Sequence, residues 1–113
     1  MPQSHRSADE LQAMYSQHKS RIQKLIARVS KLESEAEEHK LVIETLRPLD
    51  PPRKCFHMIN GVLVEKSIRE VLPMLEDLHK NLLKTIEVLL EKYKSEDAAF
   101  KQFVKENNIK VMS

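Results

Sequence analysis

The stretch Cys55-Phe56-His57-Met58-Ile59-Asn60-Gly61-Val62-Leu63-Val64-Glu65 decides how this chain folds. Two runs of apolar residues flank Asn60-Gly61, the dipeptide that suits the two positive-φ positions of a type I′ turn, whose twist matches the strands on either side. A two-residue turn pairs Ile59 with Val62, Met58 with Leu63 and His57 with Val64. One face of the hairpin then carries Cys55, Ile59, Val62 and Val64, and the other carries Phe56, Met58 and Leu63. Both faces are apolar, yet a lone two-stranded hairpin is marginal in water. No other strand pattern occurs in the sequence. The hairpin is therefore expected to share its strands with partner chains.

Outward from the turn, both flanks read as long helices. The chain has 113 residues, 32% of them charged, 4% aromatic, and a single glycine, which departs from the composition of a compact mixed domain. On the N-terminal side, Ser7-x-x-Glu10 has capping-box spacing. A heptad follows, with Ala8, Tyr15, Ile22, Val29, Ala36 and Ile43 at a and Leu11, His18, Leu25, Leu32, His39 and Leu46 at d. Such a sustained repeat predicts a coiled coil. Pro48 ends the helix, and Pro51-Pro52 are expected to keep the linker extended. Beyond the hairpin, Ser67-x-x-Glu70 offers a second capping box, and Pro73 is expected to kink or loosen the first turns. Here Leu72, His79, Ile86, Tyr93 and Phe100 take a, and Leu75, Leu82, Leu89, Glu96 and Phe103 take d. Leu78, Leu83, Val88 and Leu90 widen the apolar stripe beyond what one partner helix needs. Each helix should measure roughly 60 Å at about 1.5 Å per residue.

The predicted fold is mainly α: an antiparallel two-helix coiled-coil hairpin with one β-hairpin between the helices. The expected single domain over 1–113 divides into helix 8–46, a Pro-containing linker 47–54, the β-hairpin 55–66, helix 68–107 and a tail 108–113. Equal helices joined by a short segment fold back antiparallel most easily.

Several function classes find no support in the residues. The only glycine lies in the turn, so no Gly-rich loop exists to cradle phosphates. Cys55 has no acid–base companion of the kind a nucleophile needs, and the histidines lack metal-ligand spacing; they read as seam packers. A non-enzymatic protein without cofactor or metal is the expectation. No apolar run approaches the ~18 residues of a membrane span, and the first residues lack a signal-peptide core. A lone cysteine fits a reducing compartment, so a soluble, cytoplasmic protein is expected. The formal net charge of +2 is too near balance to indicate nucleic acid. Basic residues at 19–28 lack the interleaved aromatics of a single-strand binder.

Both chain ends carry apolar residues. Met14 lies off the seam beside Leu11 and Tyr15, while Val104, Ile109, Val111 and Met112 surround Phe100 and Phe103. Antiparallel pairing brings the two sets to the end farthest from the hairpin. They read either as seam filling with a frayed tail or as a Met- and Phe-containing surface for apolar segments of other proteins.

Glu38-His39-Lys40-Leu41-Val42-Ile43-Glu44-Thr45-Leu46, together with RKCFHMINGVLVEKSIREVLPMLE over residues 53–76, closely resembles the β-class subunits of the eukaryotic prefoldin family. The ending Asn108-Ile109-Lys110-Val111-Met112 is also similar; the polar tail that some relatives carry beyond it is expected to be lacking. Residues 1–30 and 77–105 match only in heptad character. The resemblance implies a hexamer of two α-class and four β-class chains, whose hairpins build a shared double β-barrel from which coiled coils project. It implies that the coil tips hold unfolded proteins such as actin and tubulin and pass them to the cytosolic chaperonin without ATP. On this sequence, residues 55–59 and 62–66 would be barrel strands, making Cys55, Phe56, His57, Met58, Ile59, Asn60, Gly61, Val62, Leu63 and Val64 the assembly hairpin. Leu11, Met14, Tyr15, Phe100, Phe103 and Val104 would be the client-binding tip. Asn60 departs from the second glycine expected in the turn, but asparagine accepts positive φ well. The rival reading is a coiled-coil scaffold or adaptor without client binding, and the apolar set at the two ends distinguishes the two.

Overall fold

A computed structural model describes residues 7–109; the tail residues Lys110, Val111 and Met112 lie outside the described part. In chain order the elements are α1 (Ala8–Leu46), β1 (Lys54–Ile59), β2 (Val62–Ser67) and α2 (Ile68–Glu106). Two long helices of 39 residues each thus enclose an antiparallel two-stranded hairpin in sequence. The chain divides into two compact units, one spanning residues 31–86 and the other combining residues 7–30 with 87–109.

In the hairpin-bearing unit the turn is the one that Asn-Gly dictates. Asn60 has φ of 49° and Gly61 of 81°, the double positive-φ signature of type I′. Ile59 pairs with Val62, Met58 with Leu63 and His57 with Val64, and the ladder continues to Lys54 opposite Ser67. Cys55, His57 and Val64 are half-buried, while Phe56, Met58 and Leu63 face outward. Beneath the hairpin, Ile43, Val71 and Leu75 form a buried cluster, with Leu46, Cys55 and Leu72 packed against it. Each such aliphatic side chain stabilises by about 1.5–3 kcal/mol when fully buried.

The linker departs from its expected form. Residues 47–48 and 51–52 form turns rather than an extended connection, and Arg53 N–H bonds back to the Asp50 carbonyl at 3.0 Å. Pro51 and Pro52 occupy the two central positions of that turn, where neither leaves an N–H unpaired. The folded linker also caps α2. The N–H of Ile68 donates to the Arg53 carbonyl and that of Arg69 to the Pro51 carbonyl, both at 2.9 Å. Glu70 N–H donates to Ser67 Oγ, and Ser67 N–H to the Glu70 carboxylate. These four bonds satisfy the donors that a helix start leaves open.

Pro73 does not break α2, which runs unbroken through it. Its missing N–H deprives only the Arg69 carbonyl of an intrahelical partner, and both residues are exposed, so water can take the donor's place. At the far end, Ile109 N–H reaches the Val104 carbonyl and Asn108 N–H the Lys105 carbonyl, with Asn108 at φ 52°. That is a Schellman closure with asparagine in the left-handed position.

The heptad assignment locates the seam. Apart from Ala8, every residue assigned to a or d in both helices is buried or half-buried. Leu25, Val29 and Phe103 close the seam in one unit, and Ala36, Ile43, Leu75 and Ile86 in the other.

Candidate functional site

Two groups of residues stand out, one in each unit. The first is the outer face of the hairpin. Alternation along the strands sends every second side chain away from the helices, and here those side chains are Phe56, Met58 and Leu63. They are 67%, 61% and 59% exposed, and Val62 at the turn is 62% exposed. Ile59, paired with Val62 on the opposite face, is 38% exposed. Water-facing aromatic, thioether and branched aliphatic groups on one short ribbon form an apolar patch, the usual mark of an interaction surface. Lys54 Nζ lies 3.6 Å from the Glu65 carboxylate on the same face, a polar margin to that patch. Cys55, a free thiol, and His57 face the other way.

The second group lies where residues 7–30 meet 87–109. Leu11, Met14, Tyr15, Phe100 and Val104 are half-buried, and Phe103 is only 7% exposed. Helical repeats bring these rings together: Tyr15 and Phe100 centroids are 5.3 Å apart, and His18 lies 5.8 Å from Phe100 and 5.0 Å from Phe103. The separations fall within the roughly 4.5–7 Å range of interacting aromatic rings. His18 thus belongs to the cluster, although its seam position alone marked it only as a packer. Arg21 donates to His18 Nδ1 at 3.2 Å and to the Glu96 carboxylate at 3.2 Å. A guanidinium has no acceptor, so Nδ1 of His18 must be the acceptor and Nε2 carries the proton. His39, the other d-position histidine, has the opposite arrangement, with Nδ1 2.8 Å from the Glu35 carbonyl and therefore donating. Glu96, a polar residue at d, is explained by its pairing with Arg21 across the seam.

Charged groups tune these frames. The Ser67 backbone N–H, and then its hydroxyl, hold the Glu70 carboxyl below its usual range. The hydrogen bond to Asp97 raises Lys101 above the usual lysine range. Arg47 and Glu76 pair at 3.0 Å between α1 and α2. Among the described residues, no group of three or more His, Cys, Asp or Glu is placed to hold a metal ion. No described helix is long and apolar enough to cross a membrane.

Sequence reasoning passed over the flank of α1. Leu41 and Val42 are 56% and 45% exposed near the hairpin, and Val42, Leu46, Cys55, Phe56, Val71 and Leu75 line an open cavity of about 340 Å³. The available signal was two adjacent apolar residues outside the a and d positions.

The family model described as Prefoldin subunit matches residues 9–113. The chain is 41% identical over 102 residues to a probable prefoldin subunit 2 of Schizosaccharomyces pombe, covering 90% of each chain. It is 36% identical over 106 residues to prefoldin subunit 2 of Homo sapiens, covering 94% of this chain and 69% of the human one. In fold it is similar to the crystal structure of the prefoldin beta subunit from Thermococcus strain KS-1, with a TM-score of 0.79, 12% identity and coverage of 95% and 94% of the two chains. Helices, hairpin and sequence thus agree: this chain belongs to the prefoldin subunit family, a family of chaperone subunits, and its relatives within it carry the name prefoldin subunit 2.

Proposed function

We propose that this chain is one subunit of a hetero-hexameric, ATP-independent holdase that binds unfolded proteins, of the actin and tubulin kind, at coiled-coil tips and delivers them to the cytosolic chaperonin. The complex combines α-class and β-class prefoldin subunits and works in the cytoplasm. The observation that carries this reading is the outer hairpin face, where Phe56, Met58 and Leu63 are all more than half exposed. Pairing with the hairpins of sister chains covers such a face, and residues 55–64 are then the assembly element. Leu11, Met14, Tyr15, Phe100, Phe103 and Val104 are the client-facing end, where several weak contacts act together across subunits.

One observation favours a second reading. Phe103 is buried and Tyr15 packs at a tilt against Phe100, so these rings fill their own seam and leave fewer groups for a client. A scaffold or adaptor subunit has no need of an open tip. The two readings separate in the assembled complex. Serine substitution at Met14 and Val104, which are only half-buried, should weaken suppression of aggregation of an unfolded protein in the absence of nucleotide. Full suppression by a correctly assembled variant complex would favour the scaffold.

A further inference from the structure

In the unit of residues 7–30 and 87–109, one flank of the seam carries a basic stripe. Arg21, Lys24 and Arg28 of α1 and Lys92 of α2 occupy heptad positions c and g there, and all four are exposed. His18 lies against Phe100, so a step of one heptad along each helix sets Leu25 opposite Tyr93. Arg28 and Lys92, both at g, then flank the same part of the seam from opposite helices. Flanking positions of a coil commonly hold opposite charges; here both are cations, which repel. Between Gln17 and Ser30 on α1, and between Glu87 and Gln102 on α2, no c or g position holds a carboxylate. Other lysines of the unit do find partners, Lys94 with Glu91 and Lys101 with Asp97. Glu96, one turn beyond Lys92, bonds Arg21 instead. Among the described residues, Lys24, Arg28 and Lys92 form no ion pair.

We infer that this stripe receives an acidic segment of the unfolded protein held at the aromatic end of the coil. The inference rests on the client-binding reading and adds a charge preference to it. Charge complementarity selects carboxylates, and continuity selects their source. Arg21 bonds His18, which packs on Phe100 and Phe103, so the stripe begins one turn from the rings. A chain with an apolar residue near those rings can lay carboxylates along Arg21, Lys24 and Arg28. Arg21 and Arg28 lie about 10 Å apart along the helix axis, the reach of about three extended residues. Bound carboxylates also relieve the repulsion between Arg28 and Lys92. No aromatic residue stands at the positions of the stripe, where nucleic-acid bases would need rings to stack on.

The test uses the complex reconstituted from all its subunits and a reduced, S-alkylated, permanently unfolded protein in two forms. One form keeps its carboxylates and the other has them amidated, so apolar content is the same. The wild-type complex should bind the intact form more tightly. Lys92→Glu should weaken that binding about fivefold and leave binding of the amidated form no weaker. It should hold or raise the melting temperature, because it sets an opposite charge beside Arg28. Lys24→Gln, farther from the seam, should show the same selectivity with a loss of about twofold. A Met14→Ser/Val104→Ser chain tests the client-binding reading separately and should weaken both forms alike. If that chain loses both forms while Lys92→Glu and Lys24→Gln bind both as the wild type does, the stripe is overturned and client binding survives. If the wild-type complex binds neither form, the client-binding reading fails and the stripe with it. Equal loss of both forms in Lys92→Glu, with a lowered melting temperature, would mean damage to the coil and also overturn the proposal. So would displacement of the intact form by an oligodeoxythymidylate but not by polyglutamate, which would assign the stripe to nucleic acid.

Discussion

The two units of this chain place their aromatic rings in opposite ways. Residues 7–30 and 87–109 turn aromatic rings inward, with Phe103 at 7% exposure and Tyr15, His18 and Phe100 packed about it. Residues 31–86 bury only aliphatic groups, Ala36, Ile43, Ile68, Val71, Leu75 and Ile86, and hold Phe56 at 67% exposure. Heptad position explains the difference. Phe103 occupies a seam position that antiparallel pairing must cover, whereas Phe56 sits on a strand face that none of the described residues covers. Equal hydrophobicity thus has opposite placements: one ring holds a coil shut, and the other lies open to solvent.

The sharpest way to break the comparison is to truncate both rings in turn. Phe103→Ala should cost about 3–5 kcal/mol, the range for a buried Phe, and thermal melting of the complex should show a large loss. Phe56→Ala should change the subunit's own stability by no more than about 0.5 kcal/mol, as for exposed positions, while lowering its incorporation. Similar losses of stability from both substitutions would erase the distinction. At the turn, Gly61→Ala should cost about 1–2 kcal/mol through its positive φ alone, since nothing lies within 4 Å of an added Cβ. Chemical denaturation of the complex would register it.

Ser67→Ala removes one half of the α2 cap and should cost about 1 kcal/mol. Amide exchange at Glu70, whose N–H bonds to Ser67 Oγ, should quicken while exchange near Phe103 stays unchanged. The same cap gives a pH signature with a defined sign. Glu70 is lowered in the folded chain by its bonds from Ser67, so its contribution is present above the ordinary glutamate range, about 4.3. It is lost as pH falls through the folded value. Carboxyl titration by NMR should place Glu70 below a free glutamate, and Ser67→Ala should return it upward. The smallest effect belongs to Arg21→Gln, which breaks an exposed pair with Glu96 worth about 0–1 kcal/mol. Its visible consequence should be a change in the His18 tautomer, since Nδ1 loses its donor.

Local chemistry made some of this legible in advance. Asn60-Gly61 dictated the turn and, with it, the register through Lys54–Ser67; the a and d positions predicted the seam, and Ser67-x-x-Glu70 predicted the α2 cap. What sequence alone concealed depends on tertiary placement. Pro51 and Pro52 read as extended because their φ is restricted, but the linker turns so that its carbonyls meet Ile68 and Arg69. Pro73 looked disruptive, yet only one exposed carbonyl loses its partner. At the chain ends, periodicity could not decide between an open surface and a closed seam, because that depends on how far the rings interdigitate. Val42 escaped notice because the cavity it lines is completed by Cys55, Phe56 and His57 of β1, which follow it only after the linker.

The most direct test of the account is the native mass of the complex formed with the partner subunits when Phe56, Met58 and Leu63 are all changed to serine. The account predicts that the variant chain is missing from the hexamer while its helices remain folded by circular dichroism. Recovery of a full hexamer containing that chain at wild-type abundance would contradict it.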